Sequence, residues 1–515
     1  MPEKPDETEV AHWADKFADE VITRKPDKKE YVVESGVTPS GVVHAGNFRE
    51  IMTQDLVFKA LKDKGVKARY QYFWDDYDRF RKVPAGVPNE WNDYIGLPVT
   101  KTPDPWKCHD SYADHFKSLV KNEMKALGIN VTFKSAEEEY KKGTFTELVK
   151  KALEGAEKIR EIHNKFRKDE LEKDWLPVRV YCEKCGKDTT TAKYLGGYEL
   201  EYACECGEKA RIDFKKKPAL VKMLWRVDWP ARWANYDVDF ESSGKEHQAS
   251  GGSVDTADLV CRDVFNHEPP IEPMYEFIYF KGQTEKLSKS KGNAPTITDL
   301  MEVYEPEVIR YLYTPKINKS FDVTFDADLL NIYNYFDEAK KSYYGKSEKK
   351  DNAEARKYAL SKLSDKYVDL PQFSVCVNVI QIALGDAKHA KEILKKTGHA
   401  FKDADERLRL AWAWVQKYAP EQYRFIVQEK MPDVKVKKEI ADVLSLIADQ
   451  LNENTDGDNL QQFIFNTSKE KGVPMKDVFA AAYLLFLNKE RGPKLGPFLA
   501  SLDAKFAANR LKMIE

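Results

Sequence analysis

The sequence of 515 residues contains no long hydrophobic run. Its apolar stretches are far shorter than the about 20 residues that a membrane-spanning helix needs. The first residues, MPEKPDETEV, are acidic and polar and lack the apolar segment of a secretory signal. We therefore expect a cytoplasmic protein that does not enter a membrane.

The sequence also lacks an excess of charge of either sign. Its net charge is −2 at pH 7, which excludes a basic field over the whole molecule. Any contact with nucleic acid must therefore depend on local basic patches. No internal repeat of the solenoid type is present, and the length predicts roughly three domains of about 150 residues.

Cysteine is scarce, with seven residues, but four of the seven form two close pairs. The pairs are Cys182-x-x-Cys185 and Cys204-x-Cys206, and a glycine follows each pair. In a cytoplasmic protein such pairs favour a metal over disulfides. The spacing predicts a zinc ribbon with four thiolate ligands and a structural role, and buried free cysteines are the alternative.

A second group of metal-binding residue types occurs within twelve residues of the sequence. It consists of Asp104, Cys108, His109 and His115, all of which are competent zinc ligands. Histidines often serve only as hydrogen-bonded polar residues, so these residues by themselves leave a second zinc site open.

The loop TPSGVVHAGN, residues 38–47, lies between a predicted strand at 31–34 and a predicted helix from about Asn47 to Lys64. With a further strand at 67–74, this order predicts a βαβ unit and a parallel sheet. Ligands bind at the carboxyl ends of such strands. Gly46 and the donors His44 and Asn47 at the helix start suit a phosphate, although a glycine-rich turn with an incidental histidine is the alternative.

The segment KLSKS, residues 286–290, follows another predicted strand, at 275–281. Its lysines are compact point charges that can neutralise phosphates. A solvated charged loop is the alternative for any such run taken alone.

The two segments together resemble the two signatures of the class I aminoacyl-tRNA synthetases. HAGN at 44–47 is similar to His-Ile-Gly-His, and KLSKS is similar to Lys-Met-Ser-Lys-Ser. The departures are Ala45, Leu287 and Asn47, of which Asn47 keeps a donor but cannot carry charge. The stretches ESGVTPSG (34–41), WRVDWPARW (225–233) and GKEH (244–247) resemble the class I lysyl-tRNA synthetases, and this resemblance runs along essentially the whole chain.

The resemblance implies an α/β fold with a Rossmann-type parallel-sheet catalytic core, a zinc-bearing insertion and an all-α anticodon-binding domain. The implied ranges are 1–84 and 218–320 for the core, 85–217 for the insertion that meets the acceptor stem, and 321–515 for the anticodon domain. The implied reaction joins L-lysine to tRNA(Lys) through lysyl-adenylate, at the expense of ATP accompanied by Mg²⁺. The resemblance also favours zinc at the second metal group, that of Asp104, Cys108, His109 and His115.

The resemblance assigns site residues by type of contact. For catalysis it implies His44, Asn47, Lys286 and Lys289. For ATP binding it implies His44, Gly46, Asn47, Gly251, Gly252, Asp255, Lys286, Ser288 and Lys289. For lysine it implies Gly36, Thr38, Trp225 and His247, while the ammonium group calls for an anion or an aromatic wall, with Glu34, Glu50, Tyr275 and Tyr279 as candidates. An acidic Glu34 just before Gly36 favours lysine over glutamate.

Contacts with tRNA are predicted from local basic segments. The lysines at 141–142, 150–151 and 215–217 are candidates for the acceptor stem, and the loop at 489–494 with Trp412 and Trp414 for the anticodon. Solvated helix faces and a core tryptophan are the alternatives. Three other functions remain open: a glutamyl-type class I synthetase, a small-molecule nucleotidylyltransferase, and a tRNA-binding paralogue without catalysis.

Overall fold

The computed structural model describes residues 12–84, 86–281, 294–396 and 403–513. The chain divides into two compact units. The first contains the described residues up to Thr298, together with Arg310–Val323 and Ala359–Leu363. The second contains Asp299–Ile309, Thr324–Tyr358 and the chain from Ser364 onward. Among the described residues, no helix is both long and apolar enough to cross a membrane.

The strands all belong to the first unit. They are β1 (Tyr31–Val37), β2 (Ala68–Trp74), β3 (Thr132–Ser135), β4 (Val178–Val180), β5 (Thr190–Gly196), β6 (Glu199–Cys204), β7 (Lys209–Asp213), β8 (Val221–Met223), β9 (Ser243–Gly244), β10 (Met274–Tyr275), β11 (Ile278–Phe280) and β12 (Phe321–Val323).

The helices occur in both units. Those up to residue 263 are α1 (Trp13–Arg24), α2 (Phe48–Asp63), α3 (Tyr112–Ala126), α4 (Ala136–Lys141), α5 (Thr146–Glu154), α6 (Ala156–Asn164), α7 (Trp225–Tyr236), α8 (Lys245–Gln248) and α9 (Ser253–Asp263). The later ones are α10 (Ile297–Leu300), α11 (Pro306–Leu312), α12 (Asp328–Tyr343), α13 (Asn352–Ser361), α14 (Phe373–Ile382), α15 (Ala387–Lys396), α16 (Asp405–Lys417), α17 (Lys438–Ala448), α18 (Gly457–Glu470), α19 (Met475–Leu487), α20 (Leu495–Ser501) and α21 (Ala504–Leu511).

A parallel sheet forms the centre of the first unit. β1 pairs in parallel with β2, and β2 pairs in parallel with β3. On the other side of β1, single parallel bridges join Val33 to Phe240 and Phe240 to Ile271, and β9 and β10 continue this pairing in parallel. The order along the sheet is therefore β3, β2, β1, the segment ending in β9, and the segment ending in β10. This is the 3-2-1-4-5 order of a Rossmann sheet, with its switch point beside β1.

The sequence of β1 suits the centre of such a sheet. Residues 31–35 are all buried, as expected for a parallel strand covered on both faces. Trp229 and Trp233 of α7 pack in one apolar cluster with Val32. The prediction of a βαβ unit at 31–74 is confirmed, because α2 connects β1 to β2.

Two strand pairings bear on the predicted insertion at 85–217, whose bounds stay a prediction. Within this range, β3 extends the parallel sheet, so the chain returns to the core before the insertion proper. β3 has only four residues, TFKS, and its first two are exposed, so its sequence carries no apolar alternation. At the other end, β8 pairs antiparallel with β4 and closes the insertion, although 218–223 was predicted to begin the second half of the core.

The second unit is helical, as predicted for the C-terminal part of the chain. Just after the predicted boundary at 320, β12 still belongs to the first unit and pairs in parallel with β11. Residues of α17 to α21 share one apolar core. Arg407 of α16 lies buried between Glu305 and Asp337 and donates to both carboxylates.

Candidate active site and metal sites

The loop between β1 and α2 ends in a reciprocal pair of hydrogen bonds. The backbone N–H of His44 donates to Asn47 Oδ1, and the backbone N–H of Asn47 donates to His44 Nδ1, both at 3.3 Å. Because Nδ1 accepts, the neutral imidazole carries its proton on Nε2, which is then a donor. Gly46 lies between these two residues. The backbone N–H groups of His44, Ala45, Asn47 and Phe48 are bonded within the protein, so the loop places the His44 ring at the positive end of the α2 dipole rather than a set of free N–H groups.

The segment that follows KLSKS in the sequence is hydrogen-bonded to this loop. The N–H of Ala45 donates to the carbonyl oxygen of Pro295 at 2.8 Å. Lys286, Ser288 and Lys289 lie outside the described residues. Their part in a phosphate site stays a prediction.

A carboxylate lies at the carboxyl end of β1. Glu50, on the first turn of α2, accepts from the N–H of Gly36 at 3.1 Å and from the hydroxyl of Tyr275 at 3.4 Å. A side chain at Gly36 is impossible without a shift, because its Cβ would lie 2.7 Å from the carbonyl oxygen of Phe73. Burial and, secondarily, the nearby Glu241 raise the pKa of Glu50 to about 8. Glu50 keeps partial contact with solvent, as a pocket wall does.

Glu34, the other predicted anion, has no exposed surface. Its carboxylate accepts from the amide of Gln71 inside the sheet. Burial, followed by repulsion from Glu241, raises its pKa to about 8. Of the two predicted acids, Glu50 is therefore the one whose residue keeps partial exposure to solvent.

Two further residues predicted to contact the substrate lysine, Trp225 and His247, lie close together. The rings of Trp225 and His247 are 5.6 Å apart, and Trp225 stacks on Trp229 at 5.3 Å. His247 belongs to α8, which follows Gly244, and Gly244 pairs in register with Tyr275. The structure thus joins this aromatic group to the strand that carries Tyr275.

Tyr279 lies on β11, which pairs in parallel with β12. It interacts electrostatically with Lys245 of α8, the helix that also carries His247. A contact of Tyr279 with the ammonium stays a prediction.

Thr38 rests on a buried ion network that the sequence analysis missed. Its hydroxyl donates to Asp78 at 3.4 Å, and Asp78 pairs with the buried Lys222 at 3.1 Å. Arg232 pairs with Asp75 at 3.0 Å in the same network. The signal was the segment WDDYD at 74–78, where acids directly follow a parallel strand, at the edge where ligands bind.

Gly251, Gly252 and Asp255 form the turn into α9. Asp255 accepts from the N–H of Gly251 at 2.8 Å, and Gly251 has a φ of +74°. A Cβ on Gly252 would lie 2.3 Å from the carbonyl oxygen of His247, so the turn packs directly on the residue predicted to contact lysine. Between β9 and α9 the chain forms the short helix α8.

The four ribbon cysteines lie within metal-binding distance. The Sγ atoms of Cys182 and Cys206 are 3.7 Å apart, and those of Cys185 and Cys204 are 3.6 Å apart. Tetrahedral zinc with Zn–S bonds of about 2.3 Å requires Sγ separations of about 3.8 Å. The glycines that follow the pairs, 186 and 207, have positive φ and close the two turns over the thiols. The residues therefore fit zinc.

The second group also converges, as its spacing suggested. Cys108 Sγ lies 3.2 Å from Asp104 Oδ2, from His109 Nδ1 and from His115 Nδ1. One ligand atom from each of the four residues lies within 4.8 Å of the others. With Zn–N and Zn–S bonds of about 2.1 and 2.3 Å, these separations fit a single zinc ion.

Comparisons with known proteins show the family to which the chain belongs. The family profile described as tRNA synthetases class I (K) matches residues 11–364. A lysine–tRNA ligase from Pyrococcus horikoshii is 40% identical over 98% of this chain and 100% of its own length. One from Thermococcus kodakarensis is 41% identical over 98% and 100%, and one from Borreliella burgdorferi is 34% identical over 95% and 96%. The chain therefore belongs to the family of class I tRNA synthetases designated K.

Proposed function

We propose that this protein ligates L-lysine to tRNA(Lys) in two steps. A carboxylate oxygen of lysine attacks the α-phosphorus of ATP, the bond to the β-phosphate breaks, and diphosphate leaves. The 2′-hydroxyl of the terminal adenosine then attacks the carbonyl carbon of lysyl-adenylate, loses its proton, and displaces AMP. The names of relatives that match over nearly the whole chain support this proposal. The observation that carries it is Glu50, held between Gly36 and Tyr275 at the switch point of the sheet.

Recognition of the lysine side chain rests on charge. The ammonium of lysine would bind the carboxylate of Glu50 beside the hydroxyl of Tyr275, and the N–H of Gly36 would hold that carboxylate in place. Trp225 and His247 supply an aromatic wall that a cation favours. A pocket for glutamate would need a cation, but the nearby Arg232 is already paired with Asp75 and Asp228.

Binding of ATP would use the start of α2. His44 Nε2, Asn47 and the backbone at Gly46 would contact the phosphates, and Lys286, Ser288 and Lys289 would supply further contacts to them. Gly251, Gly252 and Asp255 would contact the adenosine. Such a step requires positioning and stabilisation of charge more than an acid or a base. Mg²⁺ would accompany ATP as its counterion.

Zinc in the two metal groups would be structural. Cys182, Cys185, Cys204 and Cys206 would hold the ribbon formed by β5–β7. Asp104, Cys108, His109 and His115 would hold the loop before α3. In both places a bound zinc ion contributes folding free energy, and the lysine and ATP contacts do not depend on its chemistry.

Contacts with tRNA would divide between the acceptor stem, near the insertion, and the anticodon, at the helical unit. Several predicted lysines make local ion pairs instead, such as Lys141 with Glu137 and Lys217 with Glu183. Trp414 is fully buried and donates to the carbonyl oxygen of Phe325, so it is a core residue. Of the two tryptophans on α16, Trp412 remains the candidate for stacking on a base.

The proposal is tested by exchange of labelled diphosphate into ATP, with each amino acid in turn and with tRNA(Lys) present. We expect exchange with lysine and none with glutamate. Exchange with glutamate alone would indicate a glutamyl-type enzyme. Absence of exchange with every amino acid, in protein that still binds tRNA, would indicate a paralogue without catalysis.

A further inference from the structure

Trp106 is an unusually exposed tryptophan. It lies in the loop before α3, and 46% of its surface is accessible to solvent. Its indole stacks on the ring of His115 at 4.3 Å, with an angle of 27° between the planes. It also lies edge-on to Phe116, at 5.8 Å. The ring is thus supported by neighbouring side chains and still presents a large apolar surface to water.

The turn that carries Trp106 is held rigidly. The buried carboxylate of Asp104 accepts from the backbone N–H groups of Trp106, Cys108 and His109, at 2.9–3.1 Å. Lys107 adopts a φ of +57°, which is uncommon for a residue with a side chain. A preorganised ring loses little entropy on binding, so this exposure is suited to recognition.

The loop that carries Trp106 lies at the edge of the sheet where the reaction is proposed to occur. Tyr112, whose ring lies 6.3 Å from that of Trp106, donates to the carbonyl oxygen of Ser40 at 3.1 Å. Ser40 belongs to the loop that ends in the first signature. Lys117, on the same helix, pairs at 2.6 Å with Asp76, which directly follows β2. The start of α3 is therefore tied to the carboxyl ends of β1 and β2.

A cation accompanies the ring. Lys107 is exposed and, within the described part of the chain, makes no ion pair. This distinguishes it from Lys141 and Lys217, whose charges are taken up by neighbouring acids. An exposed aromatic ring beside an uncompensated cation is the combination that binds single-stranded nucleic acid, because a base stacks on the ring while the cation meets a phosphate.

We propose that Trp106 and Lys107 form a platform for the single-stranded 3′ end of the tRNA. One unpaired base stacks on the exposed face of Trp106, and Lys107 contacts the adjoining phosphate. The terminal adenosine is thereby directed to the loop at Ser40. This inference rests on the proposed function, since it supplies the position of the second substrate in the same reaction.

The test compares two RNAs, intact tRNA(Lys) and the same tRNA without its last four nucleotides, in equilibrium binding. Trp106→Ala should weaken binding of the intact tRNA by roughly 5- to 150-fold and leave binding of the shortened tRNA unchanged. Trp106→Phe should retain most of the affinity, because phenylalanine keeps a stacking ring. Equal losses on both RNAs, or no loss on either, would overturn the platform.

Two further variants separate the role of the ring from a general effect of substitution in this region. Leu119→Ala removes a comparably exposed apolar side chain from α3 and should leave both affinities unchanged. Lys107→Ala leaves the ring in place and should weaken binding of the intact tRNA only. The slope of log affinity against log salt should fall by about 0.7. An unchanged slope for Lys107→Ala would remove the phosphate contact from the proposal.

Failure of the platform and failure of the proposed function are distinguishable. Wild-type protein that charges tRNA(Lys) with lysine while the Trp106 variants behave like wild type would overturn the platform alone. Wild-type protein that neither charges nor binds tRNA(Lys) would overturn both.

Discussion

The N–H of Gly36 donates to Oε1 of Glu50 at 3.1 Å and so joins the end of β1 to the first turn of α2. The hydroxyl of Tyr275, more than two hundred residues away in sequence, lies 3.4 Å from the other carboxylate oxygen. A carboxylate held in this way offers a fixed partner for an ammonium group. Neither Gly36 nor Glu50 would provide that partner alone.

Glu50→Gln should raise the KM for lysine by roughly 10- to 150-fold, because it removes a charge-assisted hydrogen bond to the substrate ammonium. The KM for ATP should change little. Diphosphate exchange measured against each substrate separates these effects. Glu268→Gln, which alters an exposed acid, is the matched control. A variant whose KM for lysine equals that of the wild type would remove Glu50 from the site.

Binding of lysine should strengthen as the pH rises from 6.5 to 8.5. The pKa of Glu50 is raised to about 8 without ligand, so at lower pH the carboxyl must lose a proton before it can pair with the ammonium. The substrate ammonium, with a pKa of about 10.4, stays charged throughout. The KM for lysine as a function of pH measures this, and the dependence should be weaker in Glu50→Gln. A pH-independent KM in the wild type would contradict the prediction.

The same carboxyl should affect stability in the opposite direction. Because its pKa is about 8 in the folded chain and 4.5 in the reference state, the folded form binds the extra proton between these values. The stability that this proton adds to the folded chain is fully present below pH 4.5 and is lost as the pH rises through about 8. Glu50→Gln should therefore show a smaller fall in the free energy of unfolding over this range. Denaturant unfolding at several pH values measures the difference.

Cys182→Ser should release the zinc of the ribbon and unfold β5–β7, because structural zinc contributes folding free energy directly. Metal analysis should find two zinc ions per wild-type chain and one in the variant. Cys261→Ala changes a buried thiol outside both groups and should retain both ions. Well-folded wild-type protein without zinc would refute both metal assignments.

Cys108→Ser tests the second metal group separately. Its Sγ lies within 3.2 Å of three other candidate ligands, so the loss of this thiolate should remove one zinc ion and leave the ribbon intact. Metal analysis combined with thermal unfolding reports on both points. An unchanged zinc content would count against this site.

Arg407→Met should destabilise the helical unit by roughly 3–5 kcal/mol, because Glu305 and Asp337 would lose their buried partner. Denaturant unfolding of the full chain measures the loss. The triple variant that adds Glu305→Gln and Asp337→Asn should recover much of the stability, since it also removes the uncompensated charges. A single variant as stable as the wild type would show that the buried ion pairs contribute little.

Local patterns in the amino-acid sequence were sufficient for several features of this protein. The apolar run of β1, the loop before α2 and the spacing of the cysteine pairs predicted the βαβ unit and the grouping of the four thiols. These features depend on neighbours in the chain, whose conformations follow from short-range sterics and hydrogen bonding. The helical character of the second unit was implied by the family resemblance instead.

Other features arose only from contacts between distant segments. β3 is recognisable as a core strand only through its pairing with β2, because four half-exposed residues carry no pattern of their own. The choice of Glu50 over Glu34 depended on which of the two residues keeps partial exposure to solvent in the packed chain. Trp106 is distinguished from a core tryptophan only by its exposure. Burial and long-range pairing are properties of the packed chain, so the fold alone could decide them.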